Sequence, residues 1–173
     1  LKGFCPSFVS VIGGELRRPE SALSQEPVFD PLPEPMLPEL DRPWNTVAAG
    51  VGGTGVLTVT SLIAMAAHIE GKGCATLNQT GLAQKFGAVV SHVRVATTQQ
   101  EINAVRIPAG EADLFIGCDL VVSTGDEAMG KVAHGRTHAL VNDHQQPTAE
   151  FIRDPDAHFP AASMREKISL EVG

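Results

Sequence analysis

Between residues 46 and 142 the chain alternates short apolar runs with a longer stretch of helical spacing. Residues 46–49 (Thr-Val-Ala-Ala) predict a short buried strand, and residues 50–55 a glycine-rich turn. Residues 56–70 predict a helix with Leu57, Ile63, Ala64, Ala67 and His68 among those facing a sheet, stopped by Gly71 and Gly73. Residues 74–77 (Cys-Ala-Thr-Leu) read as the next strand. Strand, turn, helix and strand together fill roughly 30 residues, the length of a βαβ crossover.

Further on, residues 81–87 are polar and glycine-bounded, which predicts a loop or one helical turn. Residues 88–96 are β-rich and alternate in their second half, which predicts a strand with one face partly wet. Residues 114–118 read as another buried strand, with Asp119 placed to cap a helix over residues 120–129, and residues 137–142 as a further strand. The expected fold class is α/β, a Rossmann-like three-layer open sheet, mostly parallel, with an extended N-terminal linker.

Ahead of this unit, residues 8–12 alternate and run into Gly13 and Gly14, so residues 1–14 read as the terminal strand of a preceding domain. Residues 15–43 carry Pro19, Pro27, Pro31, Pro33, Pro35, Pro38 and Pro43 among acidic residues, a composition suited to an extended, semi-rigid linker. The α/β domain is expected over residues 44–146. Residues 147–173 mix helical segments with prolines as a C-terminal extension without a clear assignment.

Length and charge narrow the classes. A chain of 173 residues with 43% apolar content has room for one sizeable domain. A net charge of -7 opposes binding to nucleic acid or an anionic membrane. The sequence has no apolar run near the ~20 residues of a membrane span and no secretory leader pattern, so a cytoplasmic protein is expected. The chain opens at Leu1, which reads as the edge of a larger or processed protein. Cys5, Cys74 and Cys118 lie too far apart for a disulfide framework or a self-contained zinc site, so no metal site is expected.

The candidate chemistry centres on Gly50-Val51-Gly52-Gly53-Thr54-Gly55, a G-x-G-x-x-G between strand and helix. The first glycine is expected to permit the tight turn, the second to let backbone N–H groups approach a phosphate, and the third to let helix and strand pack closely. The helix N-terminus adds partial positive charge and free donors, which makes the turn a candidate phosphate cradle. A nicotinamide site needs an acidic residue at the end of the second strand; here residues 77–80 are Leu-Asn-Gln-Thr, which weakens that reading. No Lys-Ser/Thr pair follows the glycines, which excludes a P-loop.

Three segments carry a resemblance: the glycine turn, residues 81–94 (GLAQKFGAVVSHVR) and residues 112–119 (ADLFIGCD). Together they resemble the gamma domain of 2-oxoacid:ferredoxin oxidoreductases, of the indolepyruvate branch in particular. Other branches carry Arg-Gly-Gly where this chain has Lys85-Phe86-Gly87. Residues 2–8 resemble the end of the thiamine-diphosphate domain that precedes gamma in fused enzymes, and Cys5 is a candidate for a cluster or metal site completed upstream.

The resemblance implies oxidative decarboxylation of a 2-oxoacid to an acyl-CoA, with electrons passed to ferredoxin. Thiamine diphosphate and iron-sulfur clusters are expected on neighbouring domains of the same oligomeric enzyme, with coenzyme A as the co-substrate that this domain receives. On that reading Gly50, Gly52, Gly53, Thr54 and Gly55 form the cofactor-binding turn, and Gln84 and Lys85 are the catalytic candidates facing the shared active site. The alternatives are a non-catalytic module that uses the turn for interdomain packing, and a nucleotide-binding dehydrogenase domain. His92 and Arg94 are expected on a wet sheet face or an interface, and Asp113 and Asp119 in turn and cap roles.

Overall fold

A computed structural model describes residues 13, 33–81, 87–143 and 160–172. The chain divides into two units, residues 1–38 and 39–173. Of the first, residues 33–38 take no regular structure and are exposed, while the expected strand at residues 8–12 lies outside the described residues, as does Cys5.

The second unit is built from β1 (Trp44–Val51), α1 (Val56–Ile69), β2 (Gly73–Thr80), β3 (Ala88–Ala96), a 3-10 turn (Gln99–Glu101), β4 (Leu114–Gly117), α2 (Leu120–Ser123), α3 (Asp126–Met129), β5 (His138–Val141) and α4 (Ala161–Val172). The five strands form one sheet in the order β2-β3-β1-β4-β5. β1 pairs in parallel with β4, and β4 with β5. β3 runs antiparallel to both of its neighbours, β1 and β2. The expectation of a mostly parallel sheet is therefore corrected to a mixed one: β1, β2, β4 and β5 share a direction, and a reversed β3 fills the gap that the β1-α1-β2 crossover leaves.

Residues 45–51 of β1 are all buried because the strand is central and covered on both faces, which selects an unbroken apolar and small-residue run. On one face Val47, Ala49 and Val51 join Phe115, Leu120, Val122, Met129 and Ile168, so α2, α3 and α4 close that side. On the other, Ala48, Val56 and Val89 pack with Ile116 and Cys118 beneath α1.

Several local expectations change. Within α1 only Val56, Thr60 and Ala67 are buried, while Leu57 and His68 point outward. The helix is apolar on most of its circumference, so periodicity alone does not select a face. The helix expected over residues 120–129 is two short ones, separated at Thr124 and Gly125. β3 is more covered than its alternation suggests: Val89 through Val93 are buried, with Ile107 against His92 and α1 over the strand, while Arg94 and Val95 stay partly exposed.

Arg94 donates to Asn45 Oδ1 at 2.9 Å and to the Ala104 carbonyl at 2.7 Å. Asp113 is an ion-pair hub at the start of β4, with Arg42 at 2.7 and 3.0 Å, Arg136 at 3.1 Å and the Asn45 amide at 2.9 Å. Among the described residues no helix is long and apolar enough to cross a membrane.

Candidate functional site

β1 and β4 are parallel neighbours whose following helices go to opposite faces, α1 to one and α2 to the other. Such a divergence opens a crevice at the carboxyl ends of the strands, where ligands of open α/β sheets bind. The glycine turn lies at this point.

A cavity of about 430 Å3 opens beside it, lined by Val51, Gly52, Gly53, Gly55, Val56, Leu57, Thr58, Thr80, Gly81 and Val89. α1 begins there with Gly55 at φ 93° as its N-cap and no side-chain cap. Gly53 is also left-handed, at φ 102°, and the two positions together turn the chain from strand into helix. The first intrahelical bond reaching back to the cap is Val59 N–H to the Gly55 carbonyl, at 2.9 Å. Among the described residues the amides of Gly53, Gly55, Val56, Leu57 and Thr58 have no acceptor. They form a cluster of donors at the positive end of a 14-residue helix.

The glycines divide their work differently from the sequence expectation. Gly50 lies inside β1 rather than in the turn. A Cβ there would sit 2.7 Å from Cys118 Cβ, 2.7 Å from Thr54 Oγ1 and 2.8 Å from Val56 Cγ2, so it is the packing glycine. The Gly52 amide is engaged by the Gly87 carbonyl at 2.7 Å, and Thr54 turns both its amide (3.1 Å) and its hydroxyl (2.7 Å) onto the Val51 carbonyl. The donors left for a ligand are therefore those of Gly53, Gly55 and the first turn of α1.

Two further residues, Asp119 and Cys118, shape the site. Asp119 caps α2 through Val122 N–H at 2.9 Å and also accepts the Val51 amide at 2.6 Å, fixing the last residue of β1. Cys118 is half-buried beside it. Burial, and then the charge of Asp119, push its thiol pKa up against an opposing hydrogen bond from Thr54, which keeps the thiol protonated. Nothing local in the sequence signals the Asp119–Val51 bond, because 68 positions separate the partners.

Gln84 and Lys85 lie outside the described residues. The described ends of their loop both meet the site: Gly81 lines the cavity, and Gly87 holds the Gly52 amide. Among the described residues no group of three or more His, Cys, Asp or Glu is placed to hold a metal ion.

A mixed α/β sheet with a switch point between β1 and β4, where α1 begins without a side-chain cap, defines an open-sheet α/β domain. Residues 45–172 match the family described as pyruvate ferredoxin/flavodoxin oxidoreductase, and the chain belongs to that family. It is 40% identical over 75 residues to indolepyruvate oxidoreductase subunit IorB of Archaeoglobus fulgidus, covering 43% of this chain and 35% of that protein. The IorB subunit of Thermococcus kodakarensis is 28% identical over 106 residues, covering 61% of this chain and 48% of the relative. The chain thus spans about a third to a half of the length of these curated relatives.

Among solved structures it is similar to pyruvate oxidoreductase subunit PORC of Thermotoga maritima, at TM-score 0.46 and 16% identity over 65% of this chain and 56% of the other. It is also similar to 2-oxoglutarate:ferredoxin oxidoreductase of Magnetococcus marinus, at TM-score 0.47 and 17% identity over 63% and 18%.

Proposed function

We propose that this chain is the gamma domain of a 2-oxoacid:ferredoxin oxidoreductase of the indolepyruvate type, and that its glycine turn and α1 N-terminus receive the phosphates of coenzyme A. The observation that carries the reading is the uncapped N-terminus of α1, whose unpaired amides adjoin a cavity of about 430 Å3 at the switch point of the sheet. Family membership and the two IorB relatives support the reaction class. In such an enzyme thiamine diphosphate and iron-sulfur clusters on neighbouring domains supply decarboxylation and electron transfer to ferredoxin.

The residues of this chain fit a phosphate-bearing ligand. Donors converge without a competing side chain, the dipole of α1 favours negative charge, and the glycines at positions 53 and 55 place no Cβ between ligand and backbone. The Gly53, Gly55, Val56, Leu57 and Thr58 amides would hold a phosphate, and the side chains of Leu57 and Val89 would flank the adjoining part of the ligand. Gln84 and Lys85, on the loop between two residues of the rim, would reach the shared active site, with Lys85 offering a point charge to a carboxylate or phosphate.

Isothermal titration of the chain with coenzyme A and, separately, with inorganic pyrophosphate tests the cradle. Both are expected to bind, the coenzyme more tightly. Thr58→Glu is the diagnostic variant. Thr58 is exposed in the first turn, so a carboxylate there stabilises the helix by about 0.3–1 kcal/mol through the dipole while repelling the anion. A rise in melting temperature together with loss of binding supports the cradle. Equal affinity in variant and wild type, or no binding of either ligand, removes it.

A further inference from the structure

A second cavity, of about 330 Å3, lies between α1 and β2 toward the C-terminal end of the helix, away from the glycine turn. Its walls include Met65 and His68 of α1, Lys72, Cys74 and Thr76, and Gln99 of the 3-10 turn. Gly71, at φ 72°, turns the chain from helix toward strand, so that β2 starts back along the end of α1. Gly73 lets the next turn come close: a Cβ there would lie 2.4 Å from the Thr98 carbonyl. Gln99 Oε1 then accepts the Cys74 amide at 3.0 Å, while β3 pairs Val95 with Cys74 on the other edge. The cysteine is thus held from both sides.

Three donor groups in this cavity are uncommitted. Burial raises the pKa of the Cys74 thiol, with no hydrogen bond or neighbouring charge among the causes. Met65 and His68, three positions apart, share a face of α1 and are exposed, and neither side chain has a hydrogen bond or ion pair among the described residues. We propose that Cys74, His68 and Met65 bind a thiophilic monovalent d10 cation, Cu(I) or Ag(I). The thioether completes the set, since the described residues bring no three His, Cys, Asp or Glu together. The site does not depend on what the glycine turn receives.

The donor chemistry selects the ion. Thiolate and thioether are the soft ligands that favour Cu(I), and imidazole suits copper as well. No Asp or Glu lines the cavity, which leaves no carboxylate for Ca2+ or Mg2+. Lys72 lines it too, and its ammonium repels a divalent ion about twice as strongly as a monovalent one. Structural zinc also takes a fourth ligand, which this set does not supply. On binding, the S–H bond of Cys74 breaks, its proton passes to solvent and a sulfur–metal bond forms, with no change of oxidation state. One positive charge enters as another leaves, so the site gains no charge beside Lys72.

Anaerobic titration of the full chain against the Cu(I) complex of bicinchoninate tests the proposal, with circular dichroism confirming that each variant folds. The wild type is expected to withdraw one equivalent of copper, which Cys5→Ser and Cys118→Ser retain and Cys74→Ser loses. His68→Ala and Met65→Leu should each weaken binding by about tenfold or more. In the unmutated chain, one equivalent of Ag(I) should move the Met65 methyl and His68 ring resonances together, a readout that needs no variant to fold. No copper withdrawn by the wild type, or an equivalent that survives Cys74→Ser, overturns the proposal. Binding that either His68→Ala or Met65→Leu leaves unchanged overturns it as well, and marks a thiol acting without the full set.

Discussion

The carboxylate of Asp119 accepts the backbone amide of Val51 at 2.6 Å, and its other oxygen accepts that of Val122 at 2.9 Å, so one side chain joins the end of β1 to the start of α2. Asp119→Ala leaves the buried Val51 N–H without a partner and removes the α2 cap. The expected cost is about 2–4 kcal/mol. Asp119→Asn retains one acceptor and should lose about half as much. Urea unfolding midpoints measure both. An alanine variant within about 0.5 kcal/mol of wild type would show that water replaces the carboxylate.

His92 is fully buried, with Nδ1 accepting the Ile107 amide at 3.3 Å and Nε2 in contact with Gln79 Oε1 at 2.9 Å. This pairing fits a neutral ring protonated at Nε2. Burial, and then the charges of Lys131 and Arg106 against that of Glu127, lower its pKa to about 4. The fold prefers the neutral form, and the unfolded chain titrates near 6.5. The stabilisation is therefore complete above about pH 6.5 and falls by up to about 1.4 kcal/mol per pH unit down to about pH 4. Stability profiles between pH 7 and pH 4.5 should lose this slope in His92→Gln; an unchanged slope assigns it to other groups.

At Asp113, burial pushes the carboxyl pKa up, but the hydrogen bonds from Arg42, the Asn45 amide and Arg136 outweigh it and set the value below 3.8. The depressed value means that Asp113 stabilises the fold above the unfolded carboxylate range and ceases to do so as pH falls through its folded value. Arg42 is half-exposed, so solvent screens much of the pair and Asp113→Asn should cost only about 1–2 kcal/mol at pH 7. Variant and wild type should converge as the pH falls below that folded value. A gap that persists there points to packing instead of charge.

Gly50→Ala and Gly53→Ala separate two kinds of glycine. The first drives a Cβ to within 2.7 Å of Cys118 Cβ and should cost about 1–3 kcal/mol through overpacking. The second meets no atom within 4 Å but holds φ 102°, which costs an alanine about 1–2 kcal/mol of backbone strain. Thermal unfolding of Gly50→Ala and Gly53→Ala in a Cys118→Gly background tells them apart. Only the Gly50→Ala penalty should shrink, and only in part, because Cys118→Gly removes one of three close contacts and leaves Thr54 Oγ1 at 2.7 Å and Val56 Cγ2 at 2.8 Å.

Much of the α/β unit is written in local pattern. β3 begins at Ala88 and ends at Ala96, as its β-rich run predicts, α1 starts immediately after the glycine turn, and Asp119 occupies the cap position. What local pattern does not carry is direction, face and distant partners. The reversal of β3 depends on pairing, although one signal was available: seven residues between Thr80 and Ala88 are too few for a parallel crossover, which needs a dozen or more. The buried face of α1 is ambiguous because uncharged residues surround the helix. Asp113 looks like a turn residue until Arg42, 71 positions earlier, comes beside it. Within the candidate site the glycines were legible as a turn, but which of their amides remain free depends on the Gly87 carbonyl, which the fold brings in from just before β3.

The reversed third strand also decides what borders the ligand crevice. A uniformly parallel sheet would place a crossover helix beyond β2, whereas here a hairpin connection returns to the same rim as the glycine turn. Hairpin connections tolerate changes of length and side chain that a packed helix does not. Changes of length or side chain between β2 and β3 would therefore alter the border of this crevice without requiring the sheet to repack.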